Sequence, residues 1–173
     1  YGKKMIDCFG DRVTWWLTFN EQNLYHMPET FLISGYMRGD KTLRELYEIQ
    51  HHVMMAHAHL THYLHDTKPG KLMGGMLAHA QVYPATCKPR DVFCAQQLDE
   101  FFNQNLLRAF AGEGYSPEVL HFVKQAGFSD IYREDDLAVL ATMKNDYMAF
   151  SYYASRTLDS DPIPEGTPVN NYM

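Results

Sequence analysis

An α/β fold built on a parallel sheet is the architecture this sequence predicts, and three observations predict it. Apolar runs at 13–19, 72–78 and 147–153 are of strand length, and the first and last carry the aromatic and β-branched residues that strands favour. Between them lie stretches with helical spacing, notably 42–67 and 91–111, long enough to return the chain so that the next strand starts in the same direction. Gly and Pro punctuate the joints, at Gly10, Pro69-Gly70 and Gly112.

Each element follows from local chemistry. Residues 1–10 read as the last turns of a helix ended by Gly10, with the first strand after Asp11-Arg12. Val13 to Phe19 has the content of a buried parallel strand. From Pro28 to Lys41 periodicity is lost and Gly35, Gly39 and Asp40 intervene, as in a long loop over the strand's C-terminal end. Thr42-Leu43-Arg44-Glu45 has capping-box spacing, and Leu43, Leu46, Tyr47, Val53, Met54, Leu60 and Leu64 mark one face of a helix that stops before Lys68-Pro69-Gly70. Leu72 to Ala78 reads as a second buried strand whose glycines permit close backbone approach. A loop over 83–89 leads to a helix from about Asp91 carrying Val92, Leu98, Phe101, Phe102, Leu106 and Phe110. Ser116-Pro117-Glu118 opens another helix, with Ser as cap and Pro at the first turn. A short helix over 135–143 precedes the third strand, Tyr147 to Tyr153.

Composition narrows the function classes. With 46% hydrophobic and 14% aromatic residues among 173, the chain has material for one domain-sized core. A net charge of −6 with no Lys/Arg run argues against nucleic-acid binding, leaving small molecules or proteins as partners. Cys8, Cys87 and Cys94 have neither an even count nor zinc-ligand spacing, which suits free thiols in a reducing, cytoplasmic compartment. No apolar run approaches the roughly 18 residues of a membrane span. Tyr1 is not an initiator Met, and Met173 follows a Pro-rich loop, so the chain is expected to be a piece of a larger protein.

The chemistry is concentrated at Asn20-Glu21, just past the first strand. A carboxylate at the C-terminal tip of a parallel strand occupies the position where (β/α)8 barrels hold catalytic groups. Glu21 could protonate a departing glycosidic oxygen while the Asn20 amide hydrogen-bonds a sugar hydroxyl. The plainer reading of the two residues alone is a Glu that caps the following helix, and their surroundings decide between the two.

Asp11 through Asn23 resembles the acid/base segment of glycoside hydrolase family 1, usually Thr-x-Asn-Glu-Pro after a Trp-containing strand, with Gln22 here in place of Pro. Lys71–Ala78 through Tyr83-Pro84 is similar to the fifth barrel strand of that family and the loop after it. Asp146–Tyr153 resembles the sixth strand, with Ser151-Tyr152-Tyr153 in the form common in the 6-phospho branch, and 168–173 is similar to the entry to the seventh. The resemblance implies a partial (β/α)8 TIM barrel over residues 1–173, roughly strands four to six, that needs neither cofactor nor metal. It implies Glu21 as general acid/base, Asn20 and Tyr153 at the substrate, Ser151 with a weaker claim, and Tyr153 holding the nucleophilic carboxylate. The nucleophile itself and the phosphate-gripping loop match no segment here, and Glu165 in Pro164-Glu165-Gly166 does not fit the nucleophile motif.

The expected function is therefore that of a piece of a retaining 6-phospho-β-glucosidase, acting on a phosphoglycoside and inactive by itself. Alternatives are an unphosphorylated β-glucosidase or a 6-phospho-β-galactosidase piece, or a non-catalytic sugar-binding or interaction module that self-associates through exposed sheet edges. His51, His52, His57, His59, His62 and His65 crowd one helix, but without a His-Glu-x-x-His pattern they read as surface and packing histidines. Met54, Met55, Met73 and Met76 read as core filling.

Overall fold

The computed structural model describes residues 1–27 and 41–172. The loop expected from Pro28 to Lys41 thus falls, but for Lys41, outside the described residues. Helix α1 (Gly2–Phe9) leads to β1 (Trp15–Leu17), a 3₁₀ turn at Gln22–Leu24, and the long helix α2 (Leu43–Thr67). Strands β2 (Leu72–His79) and β3 (Val82–Pro84) follow, then helix α3 (Pro89–Asp99), a π-helical turn (Glu100–Gln104) and α4 (Asn105–Phe110). Helices α5 (Pro117–Gln125) and α6 (Glu134–Thr142) lead to β4 (Tyr147–Tyr152) and β5 (Arg156–Leu158).

The main sheet is parallel, in the order β1-β2-β4. β2 is central and staggered: Leu72 to Gly74 pair with β1, and Gly74 to His79 pair with β4. Alternation along β2 sends Met73, Gly75 and Leu77 to the face covered by helices. Met73 packs with Ile6 and Leu64, while Leu77 joins the main core around Tyr47, Met54, Leu106, Phe110 and Leu140. Helix α2 supplies much of that core because its buried positions recur every three or four residues, from Leu46 and Tyr47 through Met54 and Ala58 to Leu64. Its start is fixed as its sequence predicts: the Thr42 hydroxyl accepts from the Glu45 N–H at 3.3 Å and the Glu45 carboxylate accepts from the Thr42 N–H at 2.8 Å.

Several elements depart from expectation for physical reasons. The first strand is only Trp15–Leu17, and it is not buried: Trp15 is 62% and Leu17 46% exposed. Both lie on the uncovered face, where Trp15 meets the Tyr147 ring edge-on at 5.0 Å. Among the described residues the sheet does not close, so β1 and β4 are its edges and Phe150 and Tyr152 are also exposed. The stretch expected as a loop at 83–89 begins with β3, which pairs in parallel with β5. The helix expected from Asp91 starts at Pro89 and is interrupted by the π turn, and Val92 faces solvent. Ser116 precedes α5, but its hydroxyl donates to Glu118 at 2.9 Å instead of accepting from the helix backbone. Met54, Met55 and Met73 are buried, whereas Met76, on the open face, is half-buried.

Gly75 shows how tightly the helices press on β2. A Cβ there would lie 2.5 Å from the Phe110 ring, itself fully buried against His57 and the core. Gly75→Ala should therefore cost about 1–3 kcal/mol of stability through overpacking, read as a lower urea midpoint with unchanged slope; a midpoint equal to wild type would mean that Phe110 has room to move.

Candidate active site

Glu21 sits at the C-terminal end of the sheet, just past β1, and its backbone is unusual. With φ 46° and ψ 52° it is the only non-glycine residue with positive φ among those described. Left-handed backbone costs about 1 kcal/mol or more for a residue with a Cβ, so its surroundings must hold it there. The residue is only 4% exposed. The Tyr153 hydroxyl, arriving just beyond β4, donates to its carboxylate at 2.5 Å. Tyr25 is close by, and its hydroxyl pKa is pushed up by burial and then by the Glu21 charge.

The turn behind Glu21 is fastened to three elements. The Asn23 amide donates to the Ala78 carbonyl at 2.8 Å and to the Phe102 carbonyl at 2.9 Å, and its oxygen accepts from the Ala78 N–H at 2.9 Å. His26 and Gln50 of α2 are joined at 2.9 Å, and Thr18 and His57 of α2 at 2.7 Å. The His57 tautomer follows from its neighbours. Asn145 donates its NH₂ to the Phe110 carbonyl, so its oxygen, 2.8 Å from Nε2 of His57, must receive that proton. Nδ1 then accepts from the Thr18 hydroxyl. Burial pushes both His26 and His57 down to about 4, so both are neutral at pH 7.

Residues 1–172 match the sequence profile of glycosyl hydrolase family 1. The chain belongs to this family. It is 30% identical over 174 residues to a 6-phospho-β-glucosidase of Escherichia coli, covering 100% of this chain and 36% of that protein. It is 31% identical over 166 residues to an aryl-phospho-β-D-glucosidase of Bacillus subtilis, covering 94% and 34% respectively. The chain thus spans about a third of the length of these curated relatives. Its fold matches a Thermotoga maritima family 1 glycoside hydrolase solved with a cyclophellitol-analogue transition-state mimic, at TM-score 0.79 and 23% identity over 98% of this chain and 37% of that one. The three-stranded parallel sheet with its helices is accordingly part of the TIM barrel of family 1, with the sheet left open among the described residues.

Within this family 1 segment, the structure brings Tyr153 to the Glu21 carboxylate, whereas the resemblance implied that it would hold the nucleophile, which matches no segment here. Asn20 is exposed beside them, and Ser151 is half-buried on β4 opposite Ala78. A cavity of about 170 Å³ at the ends of β2 and β4 is lined by Ala78, His79, Phe102, Tyr153 and Arg156. A larger groove of about 530 Å³ opens at the N-terminal end of β4, among Arg108, Glu113, Asp146 and Tyr147. Glu165 is exposed in a turn.

The histidines have separate duties. His51 contacts Tyr115 at 2.9 Å and Asp136 at 3.3 Å, and His65 meets Asp146 at 2.8 Å. Among the described residues, the one group of three potential metal ligands is Asp91, Asp159 and Asp161, and it includes no histidine. Its carboxylates are already engaged: Asp91 accepts from the backbone N–H and hydroxyl of both Ser160 and Thr86, and Asp161 pairs with Lys88 at 2.7 Å. Those bonds, led by that from the Ser160 hydroxyl, hold the Asp91 carboxyl down at about 2. No helix among the described residues is long and apolar enough to cross a membrane. Sequence reasoning missed Asn23, which closes the polar run Asn20-Glu21-Gln22-Asn23 and carries no local signal that sets it apart.

Neutral His26 and His57 make stability depend on pH with a definite sign. Above about pH 6.5 neither folded nor unfolded histidine binds a proton; between about 6.5 and 4 the unfolded chain binds protons that the folded chain refuses. Stability should be full above pH 6.5 and fall by a few kcal/mol, on the order of 2–5, as pH drops towards 4. Urea unfolding at pH 7, 5.5 and 4.5 measures this, and His57→Gln should make the slope shallower; equal slopes would show that His57 is not refusing a proton.

Proposed function

We propose that this segment carries the acid/base half of a retaining 6-phospho-β-glucosidase active site, with Glu21 as the general acid/base. The observation that supports it most is the Glu21 carboxylate: largely buried, at the C-terminal end of a parallel sheet, and hydrogen-bonded by a tyrosine from the end of β4, two strands away. In its protonated form such a group can give its proton to the departing glycosidic oxygen as the bond to the sugar breaks, leaving the carboxylate. It can then remove a proton from the water that releases the covalent intermediate. Tyr153 orients the carboxylate by its hydrogen bond, and exposed Asn20 is placed to meet a sugar hydroxyl.

Retention requires a second carboxylate about 5–5.5 Å away, and in this reading it comes from outside the segment. The phosphorylated substrate is inferred from the names of the curated relatives, which include 6-phospho-β-glucosidases of Escherichia coli and Dickeya chrysanthemi. Ser151 in Ser151-Tyr152-Tyr153 agrees with that preference.

The test is hydrolysis of a chromogenic 6-phospho-β-glucoside beside its unphosphorylated twin. The chain alone should turn over neither. Grafted in place of the matching third of the Escherichia coli relative, it should yield an enzyme that prefers the phosphorylated compound and that Glu21→Gln slows by about 10²- to 10⁴-fold. Undiminished turnover by the substituted chimera would remove Glu21 from the mechanism, and turnover by the chain alone would place a second carboxylate within it.

A further inference from the structure

The register of the sheet poses a question at the point where β1 gives out. Leu17 pairs with Gly74, so a continued strand would bring residue 21 opposite Ala78. A parallel partner there would satisfy both the N–H and the C=O of Ala78, which by alternation face the β1 side, since Leu72 donates to Thr14 before β1 while Met73 accepts from Asp146 before β4. The chain instead turns out of the sheet at Glu21 in the left-handed conformation. The vacated place is filled by a side chain. The Asn23 amide meets the N–H of Ala78 at 2.9 Å and its C=O at 2.8 Å, reproducing the two bonds of a missing strand residue.

We propose that Asn23 is the positioning residue of Glu21: its primary amide substitutes for the peptide group of a β1 that has ended, and thereby locks the left-handed turn that presents the carboxylate to Tyr153. An amide is the one side-chain group that offers a donor and an acceptor side by side, as a peptide does. Aspartate, ionised, has no donor, and serine is too short to span both partners. The second N–H of the amide donates to the Phe102 carbonyl at 2.9 Å. Phe102 belongs to the π-helical turn, which is stitched to the same strand end again by Asn103, donating to the Ala80 carbonyl at 2.9 Å. Both N–H donors and the oxygen are engaged, and Asn23 is 1% exposed. Burying so polar a group in a fully bonded state rigidifies what it is attached to, and a half-bonded state would be costly.

Two links then converge on Glu21. Its backbone is fixed through Asn23 to β2, and its carboxylate is fixed through Tyr153 to the end of β4. Cutting the first should free the turn to relax to ordinary negative φ and swing the carboxylate away, although no atom of Glu21 itself has changed.

The positional claim is tested on the full 173-residue chain by NMR, and its catalytic consequence rests on the acid/base reading of Glu21. In the wild type, the Ala78 amide should exchange as slowly as its neighbours in β2, and Glu21 should show the strong intraresidue amide–Hα contact of positive φ. In Asn23→Ala that contact and the Tyr153 ring–Glu21 contact should both vanish while the Trp15–Tyr147 contact persists. Persistence of the Glu21 signals in the variant overturns the proposal, as does rapid Ala78 exchange in the wild type, a measurement that needs no variant to fold. In the chimera, Asn23→Ala should lower kcat by about 100-fold with KM unchanged. Displaced Glu21 signals with kcat intact would sink the acid/base reading and leave the positioning claim standing.

Discussion

The pairing of the peptide groups of β2 is the constraint on which the remaining structure depends. As the central strand of a three-stranded parallel sheet, it is mostly buried, and its peptide groups must find partners away from water. Two neighbours share that requirement unequally: β1 serves its start, β4 serves its end, and the Asn23 amide serves Ala78 where β1 has stopped. The site therefore arises where regular pairing runs out. A longer β1 would have satisfied Ala78 with backbone and left Glu21 in extended geometry, its side chain projecting from one face of the sheet.

Helix α2 carries the complementary constraint from the other side of the sheet. Its buried stripe mixes Leu46, Met54 and Leu64 with Gln50, His51, His57 and Thr61, which is more polarity than a core helix normally holds. Three of these polar members are bonded outward to other elements, Gln50 to His26, His57 to Thr18 and Asn145, and His51 to Tyr115, while Thr61 donates to the His57 carbonyl of its own helix. The dense histidine run thus fastens the segment that holds Glu21 and the loop before β4. Burial keeps His26 and His57 neutral, and that neutrality lets each ring accept one hydrogen bond.

Much of the architecture was legible because it rests on local chemistry. The Thr42–Glu45 capping box, the strand at 72–79 and the helix opening at Pro117 follow from spacing and from residue types whose preferences act over a few residues. The departures come from non-local causes. Trp15 and Leu17 look like buried strand residues but stand exposed, because burial depends on what covers the face. β3 could not be read from Val82-Tyr83-Pro84, because a three-residue strand exists only by virtue of its partner β5, more than seventy residues later. The π turn in the Phe101–Phe102 region likewise has no local signal beyond a good helical pattern.

The site divides along the same line. By itself the sequence determined the reaction class to consider: a Thr-x-Asn-Glu segment after an aromatic strand, collinear with three further segments resembling family 1, singled out Glu21, Asn20, Ser151 and Tyr153. Only the tertiary structure decided that the Tyr153 hydroxyl reaches Glu21 across the sheet, that Glu21 is left-handed, and that Asn23 stands in for a strand. Residue identity records what a side chain can donate or accept. Which partner it meets depends on strand register, and register is set jointly by elements far apart in the chain.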